Sequence, residues 1–261
     1  MQSSGSSEDQ QRVKIITVLS RMSDNEHLRN TTVSDIPPLV SLLGPQSSAG
    51  VHEQAAAALR NLASNDGNKV NIASAGAIPS LVALLGPQSS EAVHQQAAAA
   101  LRVLARDDDN KVKFASAGAI PSLVSLLGPQ SSEAVHEQAA AALRNLASND
   151  GNKVRIAAAG AIPLLVSFLG CKSSNALREH AVVTLASLAI NDDNKVKIAA
   201  AGATPLLLSF SGLQNSAVAK GKAARLLNIL AADNSDDKVE IPHYSLVATT
   251  FNCCASLIST Y

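Results

Sequence analysis

Tryptophan is absent from this chain, and four phenylalanines and two tyrosines leave aromatics at only 2% of 261 residues. Single-stranded nucleic acid is commonly held by stacking bases on aromatic rings. Phe114, Phe168, Phe210, Phe251, Tyr244 and Tyr261 form no periodic set that could do so. Net charge is missing as well: 21 basic residues balance 21 acidic ones. Such a chain has no global electrostatic attraction to phosphate backbones or anionic membranes. Three cysteines, Cys171, Cys253 and Cys254, cannot make a disulfide framework, and the low, odd number suits a reducing compartment. No stretch has the near-continuous apolarity of a membrane span. The uncharged segment 244–261 is interrupted by Ser245, Thr249, Thr250, Asn252, Ser256, Ser259 and Thr260. The opening MQSSGSSEDQQ is polar and acidic, unlike a secretory signal, and has no Met-Gly start for myristoylation. The expectation is a soluble intracellular protein, cytoplasmic with the nucleus also open, without a nucleic-acid partner or membrane span.

What the sequence does contain is a repeat. Pro37, Pro79, Pro121, Pro163 and Pro205 are spaced 42 residues apart without a slip. The phrase around them returns as GAIPSLVALL at 76–85, GAIPSLVSLL at 118–127, GAIPLLVSFL at 160–169 and GATPLLL at 202–208. A fixed period of this length marks stacked units that bury each other's apolar faces, so one elongated domain is expected in place of a single globular core. Apolar residues are 46% of the chain, enough for a continuous core. Much of that is alanine, the best helix former.

Residues 67–106 show how one unit reads. Gly67-Asn68 opens a short helix from Lys69 to Ala75, with Val70 and Ile72 as its apolar members, and Gly76 ends it. Pro79 falls in the first turn of a second helix, where a missing N–H costs nothing. That helix presents Leu81, Val82, Leu84 and Leu85 before Gly86-Pro87 breaks it. Ser90 suits the N-cap of a longer third helix running to about Ala105, with Ala97, Leu101 and Leu104 on one stripe. Asp107 to Asn110 read as a polar turn into the next unit.

Three helices per unit joined through Gly-Ala-Ile-Pro resemble the armadillo repeat. The phrase AALRNLASNDGNKVRIAAAGAIPLLVSFL at 141–169 is especially similar to armadillo regions of plant ubiquitin ligases and vacuolar adaptor proteins. The resemblance covers about residues 11–240 and implies an all-α fold, a right-handed superhelical solenoid of armadillo repeats. Residues 1–10 would be a disordered tail and 11–235 the repeat domain. Within it, 11–23 would be an N-terminal cap helix, followed by five units at roughly 25–65, 67–106, 109–148, 151–190 and 193–232. A sixth unit begins at Asp237-Lys238-Val239-Glu240-Ile241 and fails at Pro242, so 236–261 reads as a degenerate repeat or a tail. If that end leaves an apolar face open, self-association through it follows, and light scattering of full-length and 1–235 chains would show it.

The chain also supplies its own comparison. Residues 76–106 and 118–148 differ at four of 31 positions: Ala83/Ser125, Gln95/Glu137, Val103/Asn145 and Arg106/Ser148. The last three lie on the third helix. At about 100° per residue the second and third of them sit roughly 80° and 20° from the first, on one face. Glu53, Asn61 and Ser64 occupy the same places one unit earlier. In the armadillo fold the third helices line a concave groove. The resemblance therefore implies a partner-binding lining of Glu53, Ala57, Arg60, Asn61 and Ser64, then Gln95, Ala99, Arg102, Val103 and Arg106, then Glu137, Ala141, Arg144, Asn145 and Ser148, then Glu179, Val183 and Ser187, then Arg225 and Ile229.

Nuclear-import adaptors of the family carry a tryptophan and an asparagine one turn apart on this helix. The tryptophan place here holds Ala57, Ala99, Ala141, Val183 and Arg225; the asparagine place holds Asn61, Val103, Asn145, Ser187 and Ile229. Without indole faces, lysine stems have no stacking platform, which disfavours basic nuclear signals. Arg60, Arg102 and Arg144 form a positive ladder, with Glu53, Glu137 and Glu179 adding negative charge, a mixed lining for polar and apolar peptide contacts.

Nothing in the sequence argues for catalysis. His52, His94 and His136 recur with the repeat but would lie about 10 Å apart in adjacent units, too far to share one metal ion, and read as solvated surface residues. Asp107-Asp108-Asp109-Asn110 and Asn191-Asp192-Asp193-Asn194 lack the glycine and final glutamate of a calcium loop. The loop Gly86-Pro87-Gln88-Ser89-Ser90 has no phosphate-loop ending, and Cys253-Cys254 with His243 has no zinc spacing. No nucleophile–base–orienter set stands out. The expected function is a non-catalytic scaffold or adaptor, without cofactor or metal, binding an extended protein segment in the groove. The alternative is a substrate-recognition subunit acting with a ubiquitin ligase on a separate chain. A helical-repeat RNA binder is opposed by the neutral charge and scarce aromatics.

Overall fold

In the computed structural model the described residues are 35–170, 172–210 and 212–232. The expected tail at 1–10, cap helix at 11–23 and segment 236–261 lie outside them. The described residues form fourteen helices and no strand. They are α1 Ile36–Ser41, α2 Ala49–Leu62, α3 Asp66–Ser74, α4 Ala77–Ala83, α5 Glu91–Leu104, α6 Asp108–Ser116 and α7 Ala119–Ser125. The others are α8 Glu133–Leu146, α9 Asp150–Ala158, α10 Ala161–Ser167, α11 Asn175–Leu188, α12 Asp192–Ala200, α13 Ala203–Phe210 and α14 Ala217–Ala232. Two compact units divide between Asn152 and Lys153, inside α9.

Local chemistry sets the helix boundaries. Asn65, Asp107 and Asn191 cap the first helices of their triplets, each side chain accepting from a nearby backbone N–H at 2.9 to 3.1 Å. Gly76 ends α3 at φ 83°, a left-handed conformation that an L side chain rarely adopts, and Gly118, Gly160 and Gly202 repeat it. Ser48, Ser90, Ser132 and Ser174 cap the four long helices α2, α5, α8 and α11, accepting from the N–H three residues on.

In the first unit, α2, α5 and α8 pack side by side, and α4 and α7 pack against the long helix that follows each. Alanine makes this close approach feasible: Ala55, Ala97 and Ala139 are wholly buried, alongside Leu59, Leu101 and Leu143. In the second unit α11 packs against α14, α12 against α13, and α13 against α14, around Leu185, Ile198, Phe210 and Leu226.

Several readings of the repeat change. The first helix of the 67–106 unit starts at Asp66, and Asp107 to Asn110 are a cap and first turn rather than a connecting turn. Val70 is 40% exposed whereas Ile72 is wholly buried. Two residues on, a helix has rotated about 200°, so the two cannot share a face. The place next to Val70 on the inner side belongs to Lys69, buried along its stem while its ammonium meets Asp66; Lys111 repeats this with Asp108.

The three histidines are half-buried and bonded, not solvated. Nε2 of His52, His94 and His136 lies 2.9 Å from the carbonyl of Gly44, Gly86 and Gly128 respectively. A carbonyl only accepts, so Nε2 carries the proton and donates. Each ring thus ties the long helix to the glycine that ends the preceding one. In the second unit Arg178 takes the histidine's place and donates to Ser173 O at 2.6 Å and Asn215 Oδ1 at 2.8 Å. His94→Ala is expected to cost about 1 kcal/mol, the usual net worth of such a bond, read as a lowered urea midpoint.

Candidate peptide-binding face

The residues proposed as a groove lining fall on α2, α5 and α8 of the first unit, or just past their ends, and on α11 and α14 of the second. In the first unit Glu53, Ala57, Arg60, Asn61, Gln95, Arg102, Glu137, Arg144 and Asn145 are half-buried, and Ser64, Arg106 and Ser148 are exposed. Ala99, Val103 and Ala141 are buried, so they shape the floor of this face more than they reach out from it. In the second unit Glu179, Val183, Ser187 and Ile229 are half-buried and Arg225 is exposed.

Many of the polar groups already serve the scaffold. Arg60 Nη1 donates to Gln96 Oε1 at 2.8 Å, joining α2 to α5, while its Nε and Nη2 both reach Asn61 Oδ1, at 3.3 and 3.2 Å. Asn145 Nδ2 donates to the carbonyl of Arg102 at 2.9 Å, joining α8 to α5. Ser148 Oγ accepts from Lys111 Nζ at 2.5 Å. Glu179 Oε2 accepts from Ser216 Oγ at 2.6 Å, tying α11 to the segment that leads into α14.

Arg102 is the exception. Its Nε is buried and has no hydrogen-bond partner among the described residues, and neither does Oε1 of Gln138. Gln138 stands 36 residues after Arg102, as Gln96 stands after Arg60. The same pair in the same register is therefore joined at one rung of the ladder and open at the next. The sequence difference that accompanies this is Val103 in the place of Asn61: a valine offers no oxygen to hold the neighbouring guanidinium. Burial first, and then the charges of Arg106 and Arg60, push the Arg102 guanidinium below its ordinary pKa.

Gln96 and Gln138 were not among the residues singled out from sequence. The signal that would have found them is their constant offset from the arginines of the preceding unit. Among the described residues no three His, Cys, Asp or Glu side chains converge in a way that could hold a metal ion. No described helix is long and apolar enough to cross a membrane.

Residues 3–251 match the family described as the plant U-box protein ARM repeat region. No curated protein matches the chain. Among solved structures, computationally designed armadillo repeat proteins for modular peptide recognition are 32% identical at a TM-score of 0.76, covering 85% of this chain and 95% of theirs. The designed armadillo repeat protein YIII(Dq)4CqI is 30% identical at a TM-score of 0.73, covering 83% of this chain and 91% of its own. The related design YIII(Dq.V1)4CPAF, in complex with the peptide (KR)4, is 29% identical at a TM-score of 0.71, with 84% and 92% covered. The triplet helices, the glycine stops, the serine caps and these matches agree: the chain is an all-α armadillo repeat protein and belongs to the family of plant U-box protein ARM repeat regions.

Proposed function

We propose that this protein is a non-catalytic scaffold that binds an extended peptide segment across α2, α5 and α8 of its first unit. The observation that carries the reading is the face where the units differ. Gln95 and Val103 of α5 and Arg106 just past its end change to Glu137, Asn145 and Ser148 in and just past α8, while the frame around them is copied. A rigid frame with one varied stripe suits recognition, because preformed helices lose little order when a ligand docks. The design similar to this chain that carries (KR)4 supports a peptide as the kind of ligand.

The test is selection of randomised decapeptides on the immobilised full chain, followed by hydrogen exchange with the enriched peptide. Protection confined to α2, α5 and α8 is the expected result. Protection centred on α4 and α7 would contradict the reading, as would no enrichment at all. The selected peptide should also lose at least tenfold in affinity for an Asn61/Arg102/Asn145 triple alanine variant, as removal of several polar contacts each worth about 1 kcal/mol implies.

The family match favours a second reading: the same face selects substrates for a ubiquitin ligase. Specific recovery of ubiquitin-conjugating enzymes or ligase subunits with the full chain would support it. Their absence beside a captured peptide ligand would leave the scaffold reading alone.

A further inference from the structure

Within the first unit, the C-terminal end of α5 carries a cation that the other two long helices lack. Asn61 and, just past α2, Ser64 follow Arg60; Asn145 and, just past α8, Ser148 follow Arg144; Arg102 is followed by Val103 and, just past α5, by Arg106. Two consequences are visible. Val103 lacks the oxygen that orients Arg60 one unit earlier, so Arg102 is left with a buried Nε that meets no hydrogen-bond partner among the described residues. Arg106 lies two residues past the end of α5, and its charge, together with that of Arg60 on α2, acts on the Arg102 guanidinium.

Asp66 and Glu91 are both engaged with other groups. The Asp66 carboxylate feels the charge of Arg106, but it is bonded to Lys69, whose contact is what chiefly holds it below the usual carboxylate range. Glu91, at the start of α5, accepts from the Ser132 N–H at 2.9 Å. Three guanidinium groups thus gather around the end of α5, and a guanidinium matches a carboxylate in shape as well as charge.

We infer that Arg102, with Arg106 and Arg60 beside it, is a specificity rung that binds an aspartate or glutamate side chain of the peptide lying across α5. This rests on the peptide-binding reading above and adds the chemical class of the ligand. The ligand is acidic at this rung, opposite in charge to the (KR)4 peptide bound by a similar design.

Selection of randomised decapeptides should be run in parallel on full-length wild type, Arg102→Gln and Val103→Asn, with melting curves for all three. On wild type, one position of the enriched peptides is expected to be Asp or Glu, and (KR)4 should bind at least tenfold more weakly than the best selected peptide. Arg102→Gln should lose that acidic preference and bind the wild-type peptide roughly tenfold more weakly, the scale of one charged hydrogen bond. Val103→Asn keeps the charge but restores the oxygen that holds Arg60 in the neighbouring unit. It should weaken the acidic preference several-fold, which a folding defect would not do selectively. Enriched peptides without an acidic position, or an acidic preference unchanged in Arg102→Gln, overturn this inference and leave the peptide-binding reading standing. No enrichment on wild type overturns both.

Discussion

Phe114→Ala is expected to destabilise the first unit by about 3–5 kcal/mol, the range for emptying a fully buried aromatic site. Phe114 is wholly buried on α6, and the equivalent places one unit before and after hold Ile72 and Ile156, equally buried. α6 packs against α3 and α7, so the cavity would open where two triplets meet. Phe114→Ile should recover much of the loss, because isoleucine already fills this register elsewhere in the chain. In stacked repeats each unit leans chiefly on its neighbours. Hydrogen exchange should therefore show the largest loss of protection in α3, α6 and α7. Urea or thermal unfolding followed by circular dichroism measures the total; a loss below 1 kcal/mol would mean that the site collapses around the smaller side chain.

Asn110→Ala should cost about 1–3 kcal/mol, the penalty for stranding buried hydrogen-bonding groups. Asn110 is wholly buried, and its Nδ2 donates to the Lys69 carbonyl at 3.3 Å in the preceding triplet and to the Leu104 carbonyl at 3.4 Å at the end of α5. Asn152 repeats the inter-unit bond by donating to the Lys111 carbonyl at 3.2 Å. These two buried amides each stitch a triplet to the one before. Asn110→Asp should be worse than Asn110→Ala at neutral pH, since an ionised carboxylate would face two carbonyl oxygens with nothing to donate, a cost that the Lys113 ammonium, 3.4 Å from Oδ1, offsets only in part. Equal midpoints for the two variants would show that these bonds contribute little.

The features legible in sequence were those whose cause is local. The glycine at φ 83°, the serine caps and the alternation of short and long helices each depend on a few adjacent residues and recur at a constant spacing. The burial of Ala97, Leu101 and Leu104 followed from helical periodicity alone. What escaped depends on partners from another triplet or beyond a helix end. Asn110 looked like one more polar residue in an acidic turn because its acceptor Lys69 lies 41 residues back. His94 looked solvated because the Gly86 carbonyl it meets becomes available only once the preceding helix has ended and folded back. On the candidate face, residue identities and their variation were readable. The open state of Arg102 was not, since it appears only when its surroundings are set against those of Arg60 one unit earlier.

The claim at the centre of this account is that the varied stripe on the long helices selects the ligand while the copied frame only supports it. The triple substitution Gln95→Glu, Val103→Asn and Arg106→Ser gives α5 and the residue just past it the varied residues of α8 and its end, and leaves the rest of that helix unchanged. Binding of the wild-type-selected peptide to this variant, measured by fluorescence anisotropy beside a melting curve, tests that claim directly. The account predicts an unaltered fold and an affinity at least tenfold lower, the effect of losing about 1.4 kcal/mol of contacts. Equal affinity in a variant that folds as the wild type does would contradict it.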